Sequence, residues 1–266
     1  MEENKNRNQN NENEYGYENY ESWGTIETTV NAGTAARPAF SAMGSGYSTT
    51  VDGAVLADRK YLLTIIGCLV WGFFVNYLIC ITLGSYMIKT ANPSFLYLMV
   101  PLQLVSVFMN VFSKRAITKF IAYNLLVIPM GIEIAFVVSL LNVMGAVDAV
   151  YMALLGTSMI GAIMFALAYF KTDAFLSLGR TLMWVTLAAL PAAIIMMIFA
   201  PAGFAMYDAF FVLLFAFWLG FDISRAMQQP KSVENAITAA YDVYYDLAYI
   251  LIRLLLIMAR NAGKRN

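Results

Sequence analysis

The sequence predicts an all-α integral membrane protein: a bundle of seven transmembrane helices with a central C-terminal helix, preceded by a disordered N-terminal tail. Three observations predict this class. The 266 residues are 60% hydrophobic and only 13% charged, against about half and about one quarter in a soluble domain. Long runs without charge begin near Tyr61. Acidic residues are concentrated before them, in the first 30 positions.

Residues 1–57 are expected to be disordered. Asn and Glu dominate 1–22, and Gly, Ala, Ser and Thr dominate 23–57, so neither part can bury enough apolar surface to offset the entropy of ordering. The first apolar run starts too late and is too long for a secretory signal. The predicted domains are therefore the tail 1–57, a transmembrane domain 58–260 and a basic C-terminal tail 261–266.

Seven apolar segments follow the tail. Each reaches or approaches the roughly 20 residues that cross the hydrocarbon, and each is apolar on most faces, whereas a soluble helix has a polar stripe. Because lipid offers no partner for backbone polar groups, every span is predicted to be a helix. Pro101, Pro129 and Pro191 lie inside spans and are expected to kink them. The segments are about 61–86, 94–112, 118–143, 149–170, 178–199, 204–226 and 236–259.

Basic residues predict the orientation. Arg59 and Lys60 precede the first span, and the later loops on that side carry Lys114, Arg115, Lys119, Lys171, Arg180, Arg225 and Lys231. The opposite loops carry only Lys89. Lys and Arg favour cytoplasmic loops, so we expect a cytoplasmic N-terminus, and the short loops suggest a bacterial plasma membrane. Seven crossings then place Arg260, Lys264 and Arg265 outside, so either the last helix does not cross fully or the earlier loops outweigh it.

Composition excludes several classes of site. The chain has no histidine, which removes His-based acid–base catalysis and His metal ligands. Cys68 and Cys80 lie in one apolar stretch and are predicted to be small buried hydrophobes. Acidic and basic residues balance, so net charge indicates no nucleic-acid partner. No nucleophile–base or phosphate-loop arrangement is present, and the Gly-x-Gly-Asp of intramembrane aspartic proteases is absent. We therefore predict neither an enzyme nor a cofactor.

Charged side chains inside spans are costly and mark candidate functional residues. Five stand out: Glu133, Asp222, Asp242, Asp246 and Arg253. Helical spacing puts Asp242, Asp246, Tyr249 and Arg253 on one face of the last span. In lipid, such a polar stripe must face the bundle interior or water. The last helix is accordingly predicted to be central.

Asp222 and Asp246 are expected to be neighbours. A short loop joins their helices, and at about 1.5 Å per residue their depths differ by about 6 Å. Two close carboxylates cannot both ionise cheaply, so they share a proton; deprotonated, they offer hard oxygen ligands to Ca²⁺. The pair could therefore act as a pH-sensitive gate or cation relay.

More conventional interpretations stay open for several of these residues. Asp222 could be a solvated residue at a helix end, and Asp242 a carboxylate favoured by the dipole at a helix N-terminus. Glu133 could pair with Arg253, stay protonated or be purely structural. Tyr241, Tyr244 and Tyr245 fit an interfacial aromatic belt.

Two segments resemble one known family. The stretch YDAFFVLLFAFWLGFD at Tyr207–Asp222 and YYDLAYILIRLL around Asp246 resemble the transmembrane Bax inhibitor-1 motif family. The resemblance implies seven helices with a central last one, and an Asp pair, here Asp222 and Asp246, that senses protons and controls calcium leak. Asp242 matches a third Asp of eukaryotic members.

The resemblance also implies a basic residue that latches the Asp pair. At several positions, however, this sequence departs from the family pattern. An Arg at the end of the second helix latches the Asp pair in some bacterial members, a region that holds Lys114 and Arg115; Arg253 is near the eukaryotic position of another Arg. Ile223-Ser224 replaces the family's Thr-Gln, and Leu247-Ala248-Tyr249 replaces Phe-Ile-Asn or Phe-Ile-Thr. These departures concern gating and ion selectivity rather than fold.

Three functions are consistent with these residues. The first is a pH-sensitive calcium (cation) leak channel whose partners are the lipid bilayer, calcium and protons. The second is a proton-coupled transporter, which the lack of an inverted repeat of interrupted helices disfavours. The third is a non-transporting regulator of stress or cell death that binds a membrane-protein partner, with the tail as a docking arm.

Overall fold

The computed structural model describes residues 56–90, 96–199 and 204–263. The predicted disordered tail lies outside the described residues except for its last two positions, and so do residues 264–266. The described residues form seven helices joined by short turns. They are α1 (Asp58–Thr90), α2 (Leu96–Phe112), α3 (Ala116–Val143), α4 (Val147–Phe170), α5 (Thr172–Phe199), α6 (Phe204–Gln228) and α7 (Val233–Gly263).

The helices match the predicted segments but extend beyond several of them. The largest difference is at α5. It begins at Thr172, with only Lys171 between it and the end of α4, whereas the sequence predicted a start near residue 178. Asp173 lies in the first turn of α5, where a carboxylate is favoured by the helix dipole. Residues 261–263, predicted as tail, continue α7.

Helix α7 lies at the centre of the bundle. It packs against α1, α3, α4 and α6, while α2 packs on α3 and α5 packs on α6. Its buried residues are distributed around the whole helix rather than along one stripe. This is the central position that the polar stripe of the last span predicts.

Four described helices are long and apolar enough to cross a membrane: Asp58–Gly84, Ala116–Val143, Val147–Phe170 and Met206–Gln228. Helix α2 adds a shorter apolar stretch, Leu98–Phe112. Helix α7 carries Asp242, Asp246 and Arg253, so hydropathy does not identify it as a span. Large apolar side chains such as Val70 and Leu155 are exposed on outer faces, as a lipid environment requires. The protein is a multi-pass membrane protein, and the number of seven spans stays a prediction.

Glycines allow close approach between helices. A Cβ at Gly72 of α1 would lie 2.3 Å from the Tyr123 hydroxyl of α3 and 3.0 Å from the Tyr244 ring of α7. Small residues at helix interfaces are a common means of packing within membranes. Gly72 therefore sets the distance at which α1 packs on α3 and α7.

The tyrosines of α7 do not form an interfacial belt. Tyr241 and Tyr244 are buried, because α7 is surrounded by other helices and its aromatic residues face them. Asn76 donates a hydrogen bond to the Tyr244 hydroxyl at 2.7 Å, and the Tyr241 hydroxyl is 2.9 Å from that of Ser106. The half-buried thiols of Cys68 and Cys80 are free and pack against the same core.

Candidate functional site

Helices α6 and α7 run antiparallel and are joined by residues 229–232. We call the end of the bundle at this loop the near end, and the end at which α6 begins and α7 finishes the far end. Helix α1 starts at the near end: the Tyr61 hydroxyl donates to the Ala226 carbonyl at 3.2 Å, and Lys231 Nζ lies 2.5 Å from Asp58 Oδ1. The candidate site lies between α6 and α7, toward the near end.

Asp222 and Asp246 meet at the α6–α7 interface. Both residues are buried, with 7% and 3% exposure, and their carboxyl groups are close enough to hydrogen bond to each other. Such a bond requires one proton between the two groups. Asp246 Oδ2 is buried and has no hydrogen-bond partner among the described residues. Burial excludes the alternative of a solvated Asp222, and the two carboxyl groups interact across the interface, while the shared proton stays a prediction.

Arg225 connects this pair to Asp242. Its Nη2 lies 2.6 Å from Asp242 Oδ2 on α7 and 3.2 Å from Asp222 Oδ1 on α6. One guanidinium thus touches a carboxylate on each helix. We call Asp222, Arg225, Asp242 and Asp246 the acidic cluster. Asp242 forms an ion pair between helices and lies well beyond the first turn of α7, which begins at Val233, so the alternative of a carboxylate favoured by the helix dipole is wrong.

A second basic residue reaches the acidic cluster from α3. Lys119 is completely buried, and its Nζ donates to Thr238 Oγ1 at 2.7 Å. Thr238 is one helical turn before Asp242, and Lys119 interacts electrostatically with Asp242 and Glu234. From the sequence, Lys119 was interpreted as a loop charge. The available signal was its position inside the predicted span 118–143, where a charge is costly.

The predicted latch residues are not at the cluster. Lys114 and Arg115 lie in the turn between α2 and α3, and both are exposed. This part of the prediction is wrong, because the turn is at the bundle surface whereas the Asp pair is buried. The cation beside the pair is Arg225. The sequence could have indicated Arg225, because residues three apart are neighbours on a helix and Arg225 follows Asp222 by three.

Arg253 and Glu133 have other partners. Arg253 Nη1 lies 2.8 Å from Asp208 Oδ1, and Arg260 pairs with the second oxygen of Asp208. Glu133 accepts a hydrogen bond from Gln103 at 2.7 Å and interacts with Arg253 electrostatically, while the direct ion pair of Arg253 is with Asp208. Antiparallel packing puts the early residues of α6 beside the late residues of α7. Asp208, itself a charge inside a predicted span, was missed as a candidate.

Asp222 and Asp246 are also the predicted calcium ligands. The described residues contain no group of three or more acidic or Cys side chains placed to hold a metal ion. Calcium takes about six to eight oxygen ligands, so Asp222 and Asp246 by themselves do not make a closed binding site. Two carboxyl groups can hold a proton between them, or offer oxygens to a cation that keeps part of its water.

Comparison with known families gives one match. Residues 56–263 match the family model described as Inhibitor of apoptosis-promoting Bax1. The matched region contains all seven described helices, including both that supply the acidic cluster. No curated protein matches the chain significantly.

Proposed function

The chain belongs to the Bax inhibitor-1 family, and from this membership and the paired carboxyl groups we propose that it is a pH-sensitive leak channel for cations, calcium among them. The observation that carries the proposal is the contact between Asp222 and Asp246, buried between α6 and α7. Ionisable groups inside a membrane are energetically costly, and where they occur they commonly mark a path for ions or protons.

A shared proton supplies the pH sensitivity. When the pair holds its proton, the two carboxyl groups attract each other and α6 stays against α7. When the proton leaves, two negative charges face each other in a medium of low dielectric constant, and they repel unless a cation enters. Asp246 Oδ2, which has no donor among the described residues, is available to that cation.

The basic residues limit the negative charge of the path. Arg225 is within ion-pairing distance of Asp222 and Asp242, and Lys119 approaches Asp242 from α3. With both cations in place, much of the carboxylate charge is balanced within the protein. A cation is then held weakly enough to leave again, as conduction requires.

Cation flux into proteoliposomes tests the proposal. The purified protein is reconstituted around a calcium-sensitive dye, and flux is measured over a range of pH. We expect wild-type flux to change with pH, and Asp222→Asn and Asp246→Asn to remove that dependence. Asp148→Asn, an exposed carboxylate at the start of α4, is the matched control and should behave as wild type. The absence of flux at every pH, in protein shown to be folded, would exclude the channel.

The family's description favours one second candidate, a regulator that acts through protein partners. The family is named for inhibition of a death-promoting protein, which is an effect on a partner rather than on an ion. Deleting residues 1–57 and measuring partner binding in membranes discriminates the two candidates. Loss of binding with unchanged flux assigns the tail to docking and leaves the channel activity to the helices.

We further propose that the N-terminus is cytoplasmic, on the strength of the basic residues at the near end. Lys114, Arg115 and Lys231 all lie on turns or loops at the near end if each helix crosses the membrane.

A third candidate is a transporter. Proton-coupled uptake of a solute without calcium conductance would assign the acidic cluster to this function.

A further inference from the structure

The far end of the α6–α7 interface contains a cation inside a cage of aromatic rings. The Arg253 guanidinium carbon lies 4.7 Å from the centre of the Tyr249 ring, 5.3 Å from Phe211 and 5.6 Å from Tyr207. Rings within about 6 Å attract a cation through their negative faces. Three rings around one guanidinium resemble the cages with which proteins bind organic cations.

Polar groups complete the cage. Asp208 is fully buried, and its Oδ1 accepts a hydrogen bond from Arg253 Nη1 at 2.8 Å. The Tyr249 hydroxyl accepts from Arg253 Nη2. A planar cation in this position therefore has a carboxylate, a hydroxyl and three ring faces. Tyr207, Asp208, Phe211 and Tyr249 together are called the cation cage below.

Asp208 has a second basic partner besides Arg253. Arg260 already pairs with Asp208 Oδ2, so Asp208 has two arginines for one negative charge. Removing Arg253 would leave the pair of Arg260 and Asp208 and three rings that no longer contact this guanidinium. In that state the cage keeps the groups that recognise a guanidinium but loses the guanidinium.

We propose that the cation cage is a binding site for small planar organic cations of the guanidinium type, which the protein's own Arg253 occupies as a tethered ligand. Tyr249 is less than one helical turn from Asp246, and its ring stacks on Phe215 at 4.0 Å. The cage is thus next to the acidic cluster on the way to the far end. Arg253 accordingly acts as a plug that competes with cations leaving the cluster.

Chemical rescue tests the site without any need for transport. Arg253→Ala removes the tethered cation, and millimolar guanidinium is added to the detergent-solubilised variant. We expect a saturable rise of about 2–4 °C in its melting temperature. Urea, which has a similar shape but no charge, should give no rise. Wild-type protein should not respond to guanidinium, since its cage is occupied.

Two further variants separate the cage from a general effect. Arg260→Ala leaves Arg253 in the cage and should not respond to guanidinium. Arg253→Ala with Tyr249→Leu lacks one ring and the hydroxyl, and the response should be lost. An equal response to urea, or no response of folded Arg253→Ala, would overturn the proposal. If Arg253→Ala yields no folded protein, guanidinium added during solubilisation should restore the folded yield, and failure to restore it also counts against the site.

A flux measurement connects the cage to transport, and this part rests on the proposed channel function. Arg253→Ala in proteoliposomes should conduct cations at least several-fold faster than wild type, and guanidinium should reduce the rate. Stabilisation by guanidinium without any flux in either protein would keep the cage and reject the channel. Flux in both proteins without stabilisation or block would keep the channel and reject the cage.

Discussion

Arg225 is the residue that joins the two helices of the acidic cluster. It contacts Asp242 at 2.6 Å and Asp222 at 3.2 Å, and its side chain is 15% exposed. Removing one partner of a buried ion pair leaves an uncompensated charge and costs about 3–5 kcal/mol. The stability of the α6–α7 interface should therefore depend strongly on this side chain.

We predict that Arg225→Met lowers the melting temperature of the solubilised protein by about 5–10 °C. Arg225→Lys keeps the charge but not the planar geometry, and should lose less. Adding Asp242→Asn to Arg225→Met should restore part of the loss, because it removes one of the unpaired carboxylates. Strictly additive effects of the two substitutions would show that these groups do not interact.

Thr238 is the acceptor for the buried ammonium group of Lys119. We predict that Thr238→Val destabilises the protein by about 1–3 kcal/mol, because a buried donor loses its hydrogen bond while the side-chain volume is kept. Thr238→Ser keeps the hydroxyl and should cost less than Thr238→Val. Thermal unfolding of both variants in the same detergent measures the difference. A loss in Thr238→Val that is no larger than the loss in Thr238→Ser would contradict a dominant role of the hydrogen bond.

The sequence predicts a contact between residues when local spacing determines it, and misses the contact when the packing of distant segments determines it. The contact of Asp222 with Asp246 follows from two local facts, a short connecting loop and a similar depth in neighbouring helices. The pairing of Arg253 with Asp208 depends on the register of antiparallel helices over five turns, which spacing does not specify. Lys119 and Arg225 were interpreted as loop charges, since a basic residue near a span end fits that explanation equally well.

At the scale of helices, close packing depends on individual glycines. Gly72 faces the Tyr123 hydroxyl and the Tyr244 ring, whereas a Cβ at Gly67 on the same helix would meet nothing within 4 Å. We predict that Gly72→Ala lowers the melting temperature, because α1 must move away from α3 and α7. Gly67→Ala is the matched control and should be neutral or slightly stabilising, since alanine favours helix. Equal effects of the two substitutions would contradict this account of the interface.

Each of the seven apolar runs is longer than any of the turns between them. The runs therefore predicted the existence and order of all seven described helices. The start of α5 was misplaced since Thr172 and Asp173 are polar, yet such residues are favourable in a first helical turn. Tyr241 and Tyr244 were misjudged because their surroundings depend on which helix is central, a property of the assembled bundle.

At the scale of the whole molecule, the predicted seven crossings would put alternate turns on opposite sides of the membrane. We predict that a cysteine introduced at Asp148, in the turn region after α3, reacts with an impermeant reagent in intact cells. Cysteines at Lys114 and Gln228 should react only after permeabilisation. All three positions are exposed, and the tests require a background in which Cys68 and Cys80 are replaced. Labelling of Asp148→Cys and Gln228→Cys from the same side would exclude this topology.

A membrane bundle with charged residues at its centre must balance them locally. The acidic cluster does so with Arg225 and Lys119 toward the near end, and Asp208 does so with Arg253 and Arg260 at the far end. The pairing with Asp208 also bears on Arg260, whose predicted outside position is against the usual bias of Lys and Arg. An arginine paired with a neighbouring carboxylate adds little net charge to that side.

Infrared difference spectroscopy over a pH series tests most directly whether Asp222 and Asp246 share one proton. A protonated carboxyl group has a carbonyl band that its ionised form lacks. We predict a titrating band in wild-type protein whose position and midpoint change in both Asp222→Asn and Asp246→Asn and stay the same in Asp148→Asn. A band that keeps its position and midpoint in either of the first two variants would contradict the shared proton.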